Sequence, residues 1–193
     1  LERNRRISWG VDAESVLFGF VGLFRPEKNL ELLVRAFAAA AISNAKLVLV
    51  GDGSGRPALE LLCRDLHLGE KVIFVGSVQD MPSHYAAFDV FVMSSLTEQM
   101  PMALVEAMAC GLPVITTDVG DVADILGTAK PPEIIASGDL DGYSQSLRTL
   151  AAQAALRRSL GAKNRERCMK QYAFPRMAKE YGAVWRAAIE RID

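Results

Sequence analysis

Apolar residues fall into two alternating patterns along this chain: short continuous runs, and longer stretches where they recur every three or four positions. The runs suit strands buried on both faces; the recurring pattern suits helices with one buried stripe. Residues 16–22 (V-L-F-G-F-V-G) form the first run. A polar turn, Arg25-Pro26-Glu27-Lys28, follows, and Asn29 is placed to cap a helix. That helix carries Leu30, Leu33, Val34, Phe37, Ala38 and Ala41 on one face. Residues 46–50 read as a second strand ending in Gly51-Asp52-Gly53-Ser54-Gly55, followed by a helix with Leu59, Leu62, Cys63 and Leu66 on one face. Residues 72–75 are a third strand, with Gly76-Ser77-Val78 as its exit loop. A short helix over 82–88 leads to a fourth strand at 90–93, and a fifth lies at 114–117.

The pattern weakens after Gly120. Residues 121–126 read as a short helix, 133–136 as a sixth strand, and 140–155 and 156–172 as two helices. A last helix, 174–192, puts Met177, Tyr181, Val184, Trp185 and Ala188 in one stripe, which reads as core or as a docking face for another domain. Residues 1–8, with Arg3, Arg5 and Arg6, read as a lead-in or short helix with a solvated basic face.

Alternating strands and helices predict an α/β fold, a parallel sheet of about six strands joined by right-handed crossovers. Such sheets bind ligands outside the carboxyl ends of their strands. The loops after Gly22, Val50, Val75 and Met93 should therefore share one edge, and the polar and glycine-rich pieces fall there.

The most telling stretch is residues 94–117, S-S-L-T-E-Q-M-P-M-A-L-V-E-A-M-A-C-G-L-P-V-I-T-T. It predicts a helix opening near Pro101 and closing near Gly111. Between Pro101 and Cys110 the one charged or strongly polar residue is Glu106, in a helix apolar enough to be buried on most sides. A lone carboxylate there is costly unless something hydrogen-bonds it. Glu98 precedes it by eight positions, in the loop before the helix. Helix starts favour anions. Two carboxylates beside one suit a sugar nucleotide, with diphosphate at the helix start and diols at the carboxylates. A structural reading stands beside this: Glu106 pairs with an arginine or caps a loop.

Composition narrows the classes. Over 193 residues the net charge is −1, which leaves no footprint for nucleic acid. Half of the residues are hydrophobic, yet no apolar run reaches the roughly 18 residues of a membrane span. Cys63, Cys110 and Cys168 show no close pairing and read as buried thiols of a reducing compartment. His67 and His84 are the only histidines and read as surface residues, so neither a histidine metal site nor a Ser-His-Asp triad is supported. No signal peptide is visible. The chain begins at Leu1 rather than Met, so its natural N-terminus is expected upstream.

Other motifs are less specific. Arg25 and Lys28 follow the first strand and can reach a phosphate or form a solvated turn. The Gly51–Gly55 loop resembles part of a dinucleotide fingerprint, but residue 56 is Arg and the loop follows the second strand, so a dinucleotide-binding oxidoreductase is the weaker alternative.

The E-x7-E block within S-x-x-E-x-x-P-x-x-L-x-E-A-M-A-x-G-x-P-V-I-x-T resembles the retaining glycosyltransferases of family 4, the group 1 glycosyltransferases. Supporting pieces occur in family order: V-G-x-x-x-P-E-K-N at 21–29, L-V-G-D-G at 49–53, F-V-G at 74–76 and A-x-D-V-F-V-x-S-S at 87–95. The resemblance implies the C-terminal, donor-binding half of a GT-B fold, with a Rossmann-like sheet and C-terminal helices over about 140–193. The N-terminal acceptor domain would lie outside this chain. It implies a nucleotide diphosphate sugar as donor substrate, no cofactor, no metal, and a glycan or lipid-linked acceptor. The setting would be cytoplasmic or peripheral at the membrane.

By position, the resemblance assigns Glu106 to the ribose hydroxyls, Glu98 to the donor sugar and Lys28 to the diphosphate. Backbone amides of Gln99, Met100, Met102 and Ala103, with Pro101 and Leu104 nearby, would surround sugar and diphosphate. The loops at Gly22 and Gly51 would border the donor, and Gly76, Ser77 and Val78 would lie beside the base. Three departures stand out. Leu23 replaces the family arginine, with Arg25 as the candidate substitute. Gln99 replaces a glycine. Val119-Gly120 replaces Gly-Gly. Alone, this domain would hold the donor without transferring its sugar.

Overall fold

The computed structural model describes residues 2–128 and 130–189. Six strands form one parallel sheet: β1 (Val16–Val21), β2 (Ala45–Val50), β3 (Val72–Gly76), β4 (Val90–Met93), β5 (Val114–Thr117) and β6 (Ile134–Ile135). Helices are α1 (Glu2–Ser8), α2 (Leu30–Ala40), α3 (Arg56–Asp65), α4 (Met81–Ala87), α5 (Met102–Ala109), α6 (Val122–Leu126), α7 (Leu140–Ala152), α8 (Ala154–Gln171) and α9 (Phe174–Ile189). The expected α/β architecture is present, with element ends shifted by a few residues.

Side chains of a strand alternate between faces. Phe18 and Phe20 join Leu33 and Phe37 of α2, Leu59 of α3 and Tyr143 and Leu147 of α7 in one core layer. Leu17 joins Tyr85 of α4, Leu104 and Met108 of α5, Leu126 of α6 and Cys168 of α8 in the other. Continuous apolar strands follow from this two-sided burial.

Strand order is β3-β2-β1-β4-β5-β6. The chain winds one way from β1 to β3 and the other way from β4 to β6. The winding reverses between β1 and β4, so their exit loops diverge and leave a crevice. Residues 22–29 and 94–101 are those loops.

Several local expectations change. Asn29 precedes α2 but adopts the left-handed conformation (φ 46°) and makes no side-chain cap bond. Asparagine tolerates that conformation where most residues do not. Pro101 sits just before α5 as its cap residue, not inside it. His84 is 2 % exposed, not a surface residue. Its Nδ1 lies 2.7 Å from the Asp80 carbonyl oxygen, and its ring is 5.6 Å from that of Trp9.

In the basic lead-in Arg5 and Arg6 do not form a solvated face either, while the Arg3 side chain lies outside what is described. Arg5 donates to Ser83 Oγ (2.8 Å), and Arg6 donates to Asp89 (2.9 Å) and the Ser15 carbonyl. These bonds clamp α1 onto α4 and the start of β4. Cys63 and Cys168 are buried as expected, but Cys110 is exposed. None of the described residues of α9 is buried, and Trp185 is 69 % exposed. Its apolar stripe is not core here, because no described element covers it. The helix's expected end, residue 192, lies outside the described residues.

Glu133, just before β6, is buried beside Asn164, with Lys163 Nζ 3.6 Å from Oε2. Burial raises its carboxyl above the usual range, against the opposing pull of Lys163. The folded protein therefore holds a proton over a pH window where the unfolded chain has released it. Stability is fullest below the unfolded carboxylate range and falls as pH rises through that window. We predict that Glu133→Gln is stabilising by about 1 kcal/mol at pH 7 and nearly neutral at pH 4, read from denaturant unfolding at both pH values. Equal effects at both would refute the assignment.

Candidate functional site

Both loops of the β1/β4 crevice are laced together by their own polar groups. Leu96 N–H donates to the Glu27 carbonyl (2.8 Å), and Ser94 Oγ donates to the carbonyls of Lys28 (2.9 Å) and Asn29 (3.0 Å). This brings Lys28 to Glu98. Lys28 Nζ lies 2.6 Å from Glu98 Oε1, and Ser95 Oγ donates to the same oxygen at 2.7 Å. The Glu98 side chain is 11 % exposed, so this is a partly desolvated, charge-assisted cluster.

The other expected loops join the same edge. Gly22 N–H donates to the Val50 carbonyl (3.0 Å), Phe24 N–H to that of Asp52 (2.9 Å), and Gly51 N–H to that of Gly76 (2.9 Å). A Cβ on Gly51, at φ 131°, would overlap the Gly22 carbonyl oxygen, so glycine is what lets these loops close up. Ser77 is exposed and Val78 half-buried beyond them.

Helix α5 opens on this edge. Pro101 has no N–H and offers no side-chain cap. The N–H groups of Met102 and Ala103, in the first turn, have no acceptor within the helix. Met100 and Met102 are exposed and rim this opening. Leu104 departs from its expected role. Its side chain is fully buried in the core and its N–H donates to the Pro101 carbonyl at 3.1 Å, so it has nothing free to offer a ligand. Gln99 is exposed, and its carbonyl accepts from Asp121 N–H at 3.3 Å.

Glu106 corrects the sequence reading. It is exposed, not buried in an apolar surround, because α5 presents Met102 and Glu106, one turn apart, to solvent. Tyr85 Oη, from α4, donates to Glu106 Oε2 at 2.7 Å. The two glutamates thus hold separate partners. Burial pushes the Tyr85 phenol far above its usual value, with the Glu106 bond second, so it stays a donor at any working pH.

Arg25 is not brought to Glu98. It lies 3.9 Å from Glu27 and lines a groove of about 630 Å³ between α2 and α3, with Leu30, Ala58 and Leu62. Leu23 is exposed where the family places its arginine.

Sequence reasoning passed over Tyr85, Ser95, Thr117 and Arg56. Arg56 sits beside Gly76, its guanidinium 5.6 Å from the centre of the Phe74 ring and bonded to Glu60 (2.7 Å) and Asp52 (3.2 Å). Only Ser95 and Thr117 carried a signal, as parts of a longer motif. A tyrosine in a short helix carries none until the helix is placed.

Comparison with known proteins fits this geometry. Residues 2–167 match the family model described as glycosyl transferases group 1, and the chain belongs to that family. It is 28 % identical over 178 residues to N-acetyl-alpha-D-glucosaminyl L-malate synthase of Bacillus anthracis, covering 92 % of this chain and 47 % of that protein. It is 31 % identical over 148 residues to a GDP-mannose-dependent alpha-mannosyltransferase of Mycolicibacterium smegmatis, covering 76 % and 36 %. Sucrose-phosphate synthase from Thermosynechococcus elongatus superposes with a TM-score of 0.88 at 28 % identity, covering 98 % of this chain and 49 % of that one. The chain thus has the fold of one half of a GT-B glycosyltransferase, and spans under half the length of these relatives. Among the described residues, no helix is long and apolar enough to cross a membrane.

Proposed function

We propose that this chain is the donor-binding domain of a retaining glycosyltransferase of family 4, acting on a nucleotide diphosphate sugar. The observation that carries this reading is the Lys28–Glu98 pair at the β1/β4 crevice, beside the uncapped start of α5. A lysine ammonium has three donors, and Glu98 takes one. The others, with the Met102 and Ala103 N–H groups, would hold the diphosphate and stabilise its charge as it departs. Glu98 would accept from the donor sugar and Glu106 from the ribose. Gly76, Ser77 and Val78 would border the base. No nucleophile is assigned, and no metal or cofactor enters the scheme.

The mannosyltransferase relative is named for a nucleotide sugar, which supports the donor class. The acceptor, a glycan or lipid-linked molecule, would be held by an N-terminal domain outside this chain. On that reading the 193-residue chain alone binds donor without transferring it. The full-length protein would work in the cytoplasm or at the membrane surface.

Calorimetry of the full-length protein with UDP-sugars, GDP-sugars and NAD(H) tests this. A nucleotide sugar should bind, and Glu106→Ala should weaken it by about 1–3 kcal/mol, the range for bonds to a charged group. Preference for NAD(H), unaffected by Glu106→Ala, would sink the proposal.

A further inference from the structure

Ser94, Ser95 and Thr117, at the ends of β4 and β5, are among the fully buried hydroxyls. Each spends its proton on the crevice. Ser94 Oγ holds the carbonyls of Lys28 and Asn29, and Thr117 Oγ1 donates to the Ser95 carbonyl at 2.6 Å. Ser95 differs from the other two, because its acceptor is a side-chain carboxylate, Glu98 Oε1.

We propose that Ser95 is the positioning residue for Glu98, fixing the carboxylate that receives the donor sugar. This rests on the reading of Glu98 given above. Two groups hold Glu98 Oε1, and they differ in stiffness. Lys28 is a point charge on a flexible stem and follows the nearest anion. An arriving diphosphate competes for it. Ser95 stands at a strand end, fully buried, with its own carbonyl tied down by Thr117. With Lys28 shared between Glu98 and the phosphate, Ser95 is the contact that keeps Glu98 in place. Because both donors converge on Oε1, Oε2 is left to accept a sugar hydroxyl.

A positioning role predicts selective damage. Removing the hydroxyl should hurt binding of the sugar and spare the nucleotide, whereas a purely structural role would hurt both. The experiment is calorimetry on full-length protein, comparing UDP-glucose with UDP and GDP-mannose with GDP, in wild type, Ser95→Ala, Ser95→Thr and Glu98→Gln. We expect Ser95→Ala to weaken the nucleotide sugar about tenfold, as loss of a charge-assisted bond would, and the nucleoside diphosphate less than about twofold. Ser95→Thr, which keeps the hydroxyl, should recover most of the loss. Should Ser95→Ala fail to fold, Ser95→Cys, similar in size but a weak donor, should show the same selectivity. Equal losses on both ligands, or none, with Glu98→Gln still selective for the sugar, would overturn the Ser95 assignment alone. An unselective Glu98→Gln would bring down the Glu98 reading and this proposal with it.

Discussion

Lys28→Ala is expected to weaken nucleotide-sugar binding by about 2–3 kcal/mol, roughly 30- to 150-fold. Among the described residues the lysine is the one cation placed directly on the crevice cluster, since Leu23 replaces the family arginine and Arg25 lines the α2–α3 groove. No described neighbour on that cluster is positioned to take over. The loss should be as large for the nucleoside diphosphate as for the nucleotide sugar, because the role proposed for Lys28 is toward the diphosphate. That separates it from the sugar-selective effect expected at Ser95. Stability should fall less, by about 1 kcal/mol, because the pair is partly solvent-screened and Glu98 keeps its Ser95 bond. Calorimetry beside denaturant unfolding reads both quantities. A variant that loses stability but binds donor normally would show the pair to be structural only.

Gly120→Ala is expected to cost about 2–4 kcal/mol of stability and to disturb the donor-sugar side of the crevice. Gly120 sits at φ 53°, and a Cβ there would overlap the Glu98 carbonyl oxygen, with the Gln99 carbonyl oxygen 3.1 Å away. Both obstacles are backbone, which cannot swing aside as a long side chain can. Relief requires the loop after β5 or the Glu98 segment to move, and movement of the latter shifts the glutamate relative to Ser95. Gly138→Ala is the control. It also sits in the left-handed region, at φ 81°, but a Cβ there meets nothing within 4 Å. It should cost only about 1 kcal/mol and leave binding unchanged. Matching losses at the two glycines would mean that conformation alone, not the close approach to Glu98, sets the requirement at residue 120.

Much of this was legible in the amino-acid sequence. Buried parallel strands announce themselves as unbroken apolar runs, and from the first five the crevice edge follows by topology. The Ser94–Thr117 stretch pointed to Glu98, Glu106 and the start of α5. What the sequence obscured depends on which face of a helix meets solvent. Glu106 looked buried because its neighbours are apolar, yet α5 packs through Leu104, Val105, Ala107 and Met108 and turns Glu106 outward. His84 and Arg6 looked like surface residues because Trp9, in the turn after α1, and Asp89 lie far along the chain from them. Tyr85 and Ser95 act through their hydroxyls, which leave no periodic trace. Arg25 and Lys28 are equally plausible phosphate ligands in sequence. Only the turn geometry separates them, sending Lys28 to Glu98 and Arg25 to the α2–α3 groove.

That separation defines the most direct test: a crystal structure of the full-length protein with a bound nucleotide sugar. The proposed site puts the diphosphate within hydrogen-bonding distance of Lys28 Nζ and the Met102 and Ala103 N–H groups. Ribose should lie at Glu106 and the sugar at Glu98. A donor seated instead in the groove between α2 and α3, with its phosphates on Arg25, would contradict the account.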